Sequence, residues 1–173
     1  PRNADLERIE VNFEQRADGL RIEAVRPGIT GGNMSVRLEI LVPPGTTLDL
    51  SLGAGTVSVE GLAGAIQIDS GAGNVDIRSA EGQVRVGLGA GNIDYEGMPS
   101  GDSQLTSGAG NIDIDLPPDA NVRIDLDTSI GNLTIRGFDV EGQVTRQSAR
   151  GIIGSGGEAS ITAQTGAGNI TLR

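Results

Sequence analysis

The sequence predicts an all-β fold, a right-handed β-solenoid with two short strands in each coil of about 18 residues. Three observations favour this architecture. Glycine occupies 28 of the 173 positions, about twice its usual share, and much of it lies in regularly spaced GAG motifs. An apolar pair two residues apart follows each motif, which is the period of a strand with one buried face. No stretch shows the three- and four-residue apolar spacing of a helix.

The first 45 residues lack the motif and alternate instead as strands. Apolar residues recur at every second position over Ile9–Phe13, Leu20–Ala24 and Val36–Val42, with breaks that contain glycine or proline between them. We expect antiparallel strands that cap the first coil, because an open coil end presents unpaired backbone and bare core. Residues 1–45 are therefore assigned to a cap within the same domain as a solenoid of residues 46–173.

Five GAG motifs and one degenerate copy mark the turns of the solenoid. The first steps between motifs are nearly equal in length, and a second strand lies halfway along each step. Two strands and two turns make one coil, and successive coils stack about 4.8 Å apart. Glycine suits a tight corner because it reaches positive φ without a Cβ penalty. The predicted turn glycines are Gly53, Gly55, Gly71, Gly73, Gly89, Gly91, Gly108, Gly110, Gly131, Gly166 and Gly168.

The period is interrupted at two places. The third step, from Gly89 to Gly108, is slightly longer than the first two, which requires a bulge in the loop around Met98–Ser103. The step from Ser129 to Gly166 has the length of two coils. We therefore expect one degenerate coil, an irregular insertion at about residues 137–158, that loops out from the stack.

Stacking places equivalent residues in columns on the outer surface. The residue after the GAG motif is asparagine in five of six copies, which predicts a ladder of side-chain amides that bond from coil to coil: Asn74, Asn92, Asn111, Asn132 and Asn169. Two positions further on lie Asp76, Asp94 and Asp113. We expect no metal site, and these three carboxylates are the candidate ligands if a cation binds. A calcium-binding β-roll is an alternative, although Val75 occupies its ligand position.

Composition excludes several kinds of function. The chain has no Cys and no His, and all 13 basic residues are Arg. These absences remove thiol and Ser–His–Asp nucleophiles, ordinary zinc sites and Schiff bases. A net charge of −10 with 2% aromatic residues argues against nucleic-acid partners, and no apolar run is long enough for membrane insertion. We expect no cofactor and no enzyme, with a polysaccharide-active β-helix as the catalytic alternative.

Two stretches resemble a known family: PPGTTLDLSLGAGTVSVEGLAGAIQIDSGAGNVDI and GEASITAQTGAGNITLR. They are similar to the bacterial putative-adhesin family of β-strand-repeat proteins, a domain of unknown function related to the toastrack domains. The resemblance covers about residues 40–173. It implies a right-handed β-solenoid located outside the cell, at its surface or in the periplasm, with the targeting segment not present in this chain. It implies no activity and no set of functional residues.

These observations predict a non-catalytic structural or adhesive module of the cell envelope. The last strand, Ile170–Leu172, ends the chain with no polar cap after it. We therefore expect end-to-end assembly into a homopolymeric fibre through Ile170, Leu172 and the N-terminal residues Ile9 and Val11. The alternatives are a monomer whose final coil is covered by residues 137–158, and an envelope domain that binds or senses a protein or glycan.

Overall fold

The computed structural model describes residues 10–16, 19–25 and 37–173, and the chain divides into two compact units, residues 1–40 and 41–173. In the first unit, β1 (Glu10–Arg16) and β2 (Gly19–Val25) form an antiparallel pair in which Phe13 lies opposite Ile22. The predicted antiparallel pairing of these strands is confirmed. Ile9 lies outside the described residues, as does the side chain of Val11, and the capping role of residues 1–45 stays a prediction.

The segment before Leu48 differs from the expected third strand. Residues 37–47 contain no strand, although their apolar residues alternate as those of a strand do. These side chains are exposed, and Leu41 is 93% exposed. Pro43 and Pro44 then follow, and neither has an N–H to donate. The predicted strand over Val36–Val42 is therefore wrong for its described residues, 37–42, because no neighbouring strand in the described chain takes up their backbone groups.

The second unit is a strongly curled, open sheet of twelve strands, and no helix occurs in residues 41–173. The all-β prediction is thus confirmed. Within the described residues, no helix is long and apolar enough to cross a membrane. The strands are β3 (Leu48–Glu60), β4 (Ile66–Ala80), β5 (Val84–Ala90), β6 (Ile93–Gly97), β7 (Asp102–Ala109), β8 (Ile112–Asp115), β9 (Val122–Ile130), β10 (Leu133–Ile135), β11 (Val140–Val144), β12 (Ser148–Ile153), β13 (Ser160–Ala167) and β14 (Ile170–Leu172).

The sheet consists of two rows of parallel strands joined at the GAG motifs. In the first row, Leu48 pairs with Ile66, and Ile66 pairs with Val84, its equivalent in the next repeat. In the second row, Val75 pairs with Ile93. The strands β3 and β4 belong to both rows, because each runs through its GAG motif without a break. In β4, the buried residues have even numbers before the GAG motif and odd numbers directly after it. The strand therefore turns at the motif, and the buried side chains of both rows point into one shared core.

The stacking order departs from the chain order at one place. The first row runs β3, β4, β5, β7, β13, β9, and the second runs β3, β4, β6, β8, β14, β10. Residues 160–172 therefore lie between residues 102–115 and residues 122–135. The chain reaches this position through β11 and β12, an antiparallel hairpin in which β12 also pairs with β9. Within the predicted irregular insertion at 137–158, these strands form a hairpin and not a degenerate coil, because they pair antiparallel.

The position of β14 also corrects the predicted open end. Ile170 pairs with Ile112 on one side and with Leu133 on the other. Ile170 and Leu172 are completely buried. Neither side chain is accessible to a second molecule, so the prediction that Ile170 and Leu172 mediate assembly is wrong.

Tyr95 is the one aromatic residue in the core of residues 41–173. Its side chain faces inward between Ile77 and Ile114 on the neighbouring strands and is 2% exposed. The hydroxyl has no hydrogen-bond partner. Every other buried side-chain polar atom in the described part of the chain has one. Burial raises the pKa of this hydroxyl well above its ordinary value of 10.0. Tyr95 therefore carries an uncompensated desolvation cost.

Replacing Tyr95 with phenylalanine is expected to raise the free energy of unfolding by about 1 kcal/mol, because it removes a buried hydroxyl that has no partner and keeps the ring. Urea denaturation of the two proteins measures the change. Lower stability of the Tyr95→Phe protein would show that the hydroxyl makes a favourable bond.

Candidate functional site

Glycines stack at the corner where the two rows meet. A Cβ on Gly91 would lie 1.6 Å from the carbonyl oxygen of Gly73, and the φ angle of Gly91 is 139°. The same approach of 1.6–1.9 Å recurs at every step of one column, which runs Gly55, Gly73, Gly91, Gly110, Gly168, Gly131. Only glycine allows adjacent layers to come this close at this backbone conformation. The corner is therefore a constraint on packing, not a binding cleft.

The predicted asparagines lie beside this corner in the same spatial order. Oδ1 of Asn74 accepts the backbone N–H of Asn92 at 3.2 Å, and Oδ1 of Asn92 accepts that of Asn111 at 2.9 Å. The column continues to Asn169 and then to Asn132, with distances of 2.9 and 3.0 Å. The donor at every step is a backbone N–H. Amide-to-amide bonds accompany it at two steps, Asn74–Asn92 and Asn111–Asn169, so the column mainly satisfies the main chain at the turns.

Buried hydroxyls on the inner side of the corner form a further column that the sequence analysis missed. They stand at inward strand positions that are apolar in other repeats, and each is at most 3% exposed. Each hydroxyl donates to the carbonyl oxygen of a turn glycine in the adjacent layer, at 2.7–2.9 Å: Ser107 to Gly91, Thr165 to Gly110 and Thr128 to Gly168. A serine or threonine directly before GAG, or before its degenerate copy, was the available signal.

The three predicted aspartates come together on the outer face of the second row. Asp76 pairs with Asp94, and Asp94 pairs with Asp113, on adjacent strands. Burial, followed by the charges of Asp113 and Asp76, raises the pKa of Asp94 above its ordinary value of 3.8. Arg173 and Arg78 partly offset this effect. These residues surround a depression of about 240 Å³.

The arginines beside this column pair with its carboxylates. Nη2 of Arg78 lies 2.7 Å from Oδ2 of Asp76, and Nε of Arg173 lies 3.2 Å from Oδ2 of Asp115. In the described residues, no group of three or more His, Cys, Asp or Glu side chains is arranged to hold a metal ion. The charged column thus forms a solvated surface with mixed signs.

Replacing Asp94 with asparagine is expected to raise the melting temperature near neutral pH. The raised pKa means that folding disfavours the charged carboxylate, so the wild-type chain loses stability as pH rises through the folded-state pKa. The gain should be below about 1 kcal/mol because the group is exposed and screened. It should vanish once the pH falls below 3.8, the ordinary value. Thermal unfolding at both pH values tests this, with Asp119→Asn in an exposed turn as the control.

The free edge of β3 is the second surface that sequence reasoning did not find. Within the described residues, β3 pairs only with β4 along its 13 residues. Its inward residues Leu48, Leu50 and Leu52 are partly exposed, whereas Ile68, which pairs with Leu50, is completely buried. The strand has no proline and no basic residue, two of the features that usually protect an edge. Within the described part of the chain, this edge is therefore open both in its backbone and in its core side chains.

The hydrogen bonds to β4 show which backbone groups of β3 are free. The N–H of Leu48 donates to the carbonyl of Ala65 at 2.8 Å, and the N–H of Gly61 donates to that of Arg78 at 3.0 Å. Successive residues of a strand direct their peptide groups to opposite sides. The groups that point away from β4 therefore belong to the outward-facing residues of β3, which are Asp49, Ser51, Thr56, Ser58 and Glu60.

A polar depression of about 300 Å³ lies on the outer face of the first row. Gly87 forms its floor, between Asp69 on one neighbouring strand and Thr106 on the other. Since Gly87 has no side chain, it leaves a gap in a column of polar residues. Three further side chains of the wall carry hydrogen-bond donors or acceptors, those of Gln67, Arg85 and Gln104, and Val86 completes the lining.

A curled β-sheet of glycine-cornered repeats, with polar columns outside and a long free edge at β3 in its described part, defines the class of strand-repeat modules. Residues 6–173 match the Toastrack DUF4097 family, and the chain belongs to this family. The family resemblance seen over residues 40–173 is thus confirmed, and the match extends further toward the N-terminus.

One solved structure similar to this chain is that of "a putative cell adhesion protein from Clostridium sporogenes". The two share 21% sequence identity with a TM-score of 0.52, and the similarity covers 95% of this chain and 75% of the other. At this identity the likeness shows the fold alone. No curated protein matches the sequence.

Proposed function

We propose that this chain is a non-catalytic adhesive module displayed on a bacterial surface, and that it binds extended polypeptide by strand addition at β3. The observation that carries the proposal is the free edge, 13 residues long. In strand addition, main-chain hydrogen bonds provide affinity, and the side chains of alternate residues provide specificity. The partly exposed leucines of β3 provide an apolar surface for an added strand.

The composition supports the proposed absence of catalysis, and the similar solved structure supports the proposed surface location. The chain lacks Cys, His and Lys, so its chemistry is restricted to carboxylates, Arg, hydroxyls and one Tyr. The similar structure from Clostridium sporogenes carries the description of a putative cell adhesion protein. An acidic surface with a net charge of −10 favours solubility and disfavours contact with other anionic surfaces.

We further propose that the curled sheet is a right-handed β-solenoid of six repeats. The constant offset of one repeat between paired strands supports this architecture at Leu48, Ile66 and Val84. Parallel strands of one sheet that are joined by a crossover are almost always connected with the right hand.

Glycan binding at the depression over Gly87 is a second candidate function. Amide, guanidinium, carboxylate and hydroxyl groups surround this gap, and such groups match the mixed donors and acceptors of a sugar. The chain has few aromatic residues on which a sugar ring could stack. Strand addition at β3 is therefore the stronger candidate.

Two substitutions distinguish these functions. Ser51→Pro removes a backbone N–H that points away from β4, so the pairing of β3 with β4 should survive while an added strand is blocked. Gly87→Thr fills the depression, and its new Cβ would approach only the flexible carboxylate of Asp69, at 2.9 Å. Ser51→Thr, which keeps the N–H, is the matched control for the proline.

Beads coated with each variant are tested on random peptides of about ten residues, long enough to form a strand, and on an array of bacterial polysaccharides. Peptide binding that Ser51→Pro abolishes and Ser51→Thr retains would support strand addition. Polysaccharide binding that only Gly87→Thr abolishes would establish the glycan function instead. Peptide binding that Ser51→Pro leaves intact would overturn the assignment of β3.

A further inference from the structure

The two ends of the stacked sheet differ in how their backbone groups are used. At the end formed by β9 and β10, the hairpin of β11 and β12 lies across the outer strands. The N–H of Leu133 donates to the carbonyl of Arg146 at 2.7 Å, and the N–H of Thr128 donates to that of Gln147 at 2.8 Å. The side-chain amide of Gln147 also donates to the carbonyl of Ser129 at 3.1 Å. The hairpin therefore takes up backbone groups of the outer strands, and the edges left at this end are β10 and β11, strands of three and five residues. At the opposite end, the 13-residue β3 pairs only with β4 within the described residues.

This difference argues against a fibre built through the two ends of the sheet, because no described edge at the end of β9 and β10 matches β3 in length. Head-to-tail stacking needs two complementary open ends, and an open helical filament results when the contact does not close. A molecule with one long free edge can instead use the same surface on both copies, which gives a closed twofold dimer. Two copies of β3 that meet edge to edge about a twofold axis run antiparallel.

The sequence of β3 permits such pairing in a register that matches both faces and places the twofold axis at the corner. Opposite residues in an antiparallel pair lie on the same face of the sheet. When Asp49 lies opposite Ser58 of the second copy, outward residues meet outward residues. Leu48 then lies opposite the second copy's Val59, and Leu50 opposite its Val57, so inward residues also match. The twofold axis passes between Gly53 and Ala54, at the corner.

Backbone groups and charges are compatible with this register. The peptide groups of Asp49 and Ser51 point away from β4, and so do those of Ser58 and Thr56, their opposite residues. Each such pair can exchange two hydrogen bonds. Asp49 lies opposite a serine and not opposite a second carboxylate, so no like charges face each other directly. The partly exposed Leu48 and Leu50 would be covered by the valines of the second copy.

From this juxtaposition we propose that the partner of β3 is a second copy of the same chain, paired antiparallel with Asp49 opposite Ser58. This inference rests on the proposed function, because it names the strand that is added. The product is a twofold dimer in which the ends that carry the hairpins point in opposite directions. Such a contact between two surface-displayed molecules would join the surfaces that carry them.

Disulfide trapping tests the register, because the chain contains no cysteine of its own. In the Asp49→Cys, Ser58→Cys double variant, each new thiol faces a thiol of the other copy at a Cα separation of about 5.5 Å, which a disulfide spans. Mild oxidation should convert most of this protein into a covalent dimer on a non-reducing gel. Asp49→Cys alone and the Ser51→Cys, Ser58→Cys double variant place no thiols opposite each other and should stay largely unlinked.

Light scattering of the cysteine-free chain over a concentration series accompanies the trapping. We expect a mass that rises from 17.7 kDa to twice that value, and Ser51→Pro should hold it at the lower value. A dimer that Ser51→Pro leaves intact, or equal cross-linking in all cysteine variants, would overturn the proposal. A monomer at every concentration that still binds peptides at β3 would also overturn it and leave the proposed function standing. Loss of both dimer and peptide binding in the wild type would remove both.

Discussion

The Gly91→Ala protein is expected to be unfolded or to lose more than about 4 kcal/mol of stability, since small domains have only about 5–15 kcal/mol in total. The new Cβ would lie 1.6 Å from the carbonyl oxygen of Gly73, a backbone atom that cannot move without separating two layers. The φ angle of 139° adds backbone strain for any residue with a side chain. Far-UV circular dichroism and urea denaturation of the purified protein measure the loss.

Gly53→Ala is the matched control for this substitution. Gly53 opens the GAG motif of β3, and a Cβ there would meet no atom within 4 Å. The chemical change is the same, but no layer lies against this position within the described structure, so the loss should be under about 1 kcal/mol. Gly55→Ala completes the comparison, because Gly55 stands in the column of Gly91 with a φ angle of 154°, but a Cβ there would meet only the side chain of Leu52, at 3.8 Å. Equal losses at Gly55 and Gly91 would show that the cost lies in the backbone conformation and not in the contact between layers.

The contrast between these glycines also shows what a periodic sequence can predict. The spacing of GAG motifs identifies the corners and the columns, because the residues that stack against each other are chemically alike. Val75 and Ile93, which are equivalent positions of successive repeats, lie opposite each other as the period requires. The pairing of β1 with β2 could be predicted in the same way, from the alternation of apolar residues in the sequence.

The stacking order could not be predicted from the same pattern. The repeat at residues 160–172 has the GAG motif, the asparagine and the apolar pair of every other repeat. Any repeat can therefore pair with any other, and order along the chain was the only guide. The hairpin of β11 and β12 carries residues 160–172 back between two earlier repeats, and this return buries β14 and leaves the hairpin across the outer strands.

The outer columns of the candidate site could be predicted from the sequence, whereas the free edge of β3 could not. The asparagine and aspartate columns follow from the period, although the backbone N–H donors in the asparagine column do not. The free edge of β3 depends on which strands lack a neighbour, which is a property of the stacking order. The gap at Gly87 could not be predicted either, because the chain has many glycines and the gap arises from the outward position of this one.

The second large effect is expected for Leu172→Ala, which should lower the free energy of unfolding by about 2–5 kcal/mol. Leu172 is completely buried, and β14 pairs on one side with β8 and on the other with β10. The truncated side chain leaves a cavity that both neighbouring layers enclose. If residues 160–172 instead formed an outer repeat, the cavity would open to solvent and the loss would be much smaller.

Leu50→Ala makes the same chemical change in β3, where one neighbouring layer is absent from the described chain. Leu50 is partly exposed, so we expect a loss of under about 1.5 kcal/mol. Urea denaturation at low protein concentration should be used for both variants, because association through β3 would bury Leu50. A larger loss at Leu50 than at Leu172 would contradict the inserted position of β14, and comparable losses at low concentration would mean that something covers β3 in the free chain. The ratio of the two losses therefore tests the stacking order and the open edge, on which the proposed dimer depends.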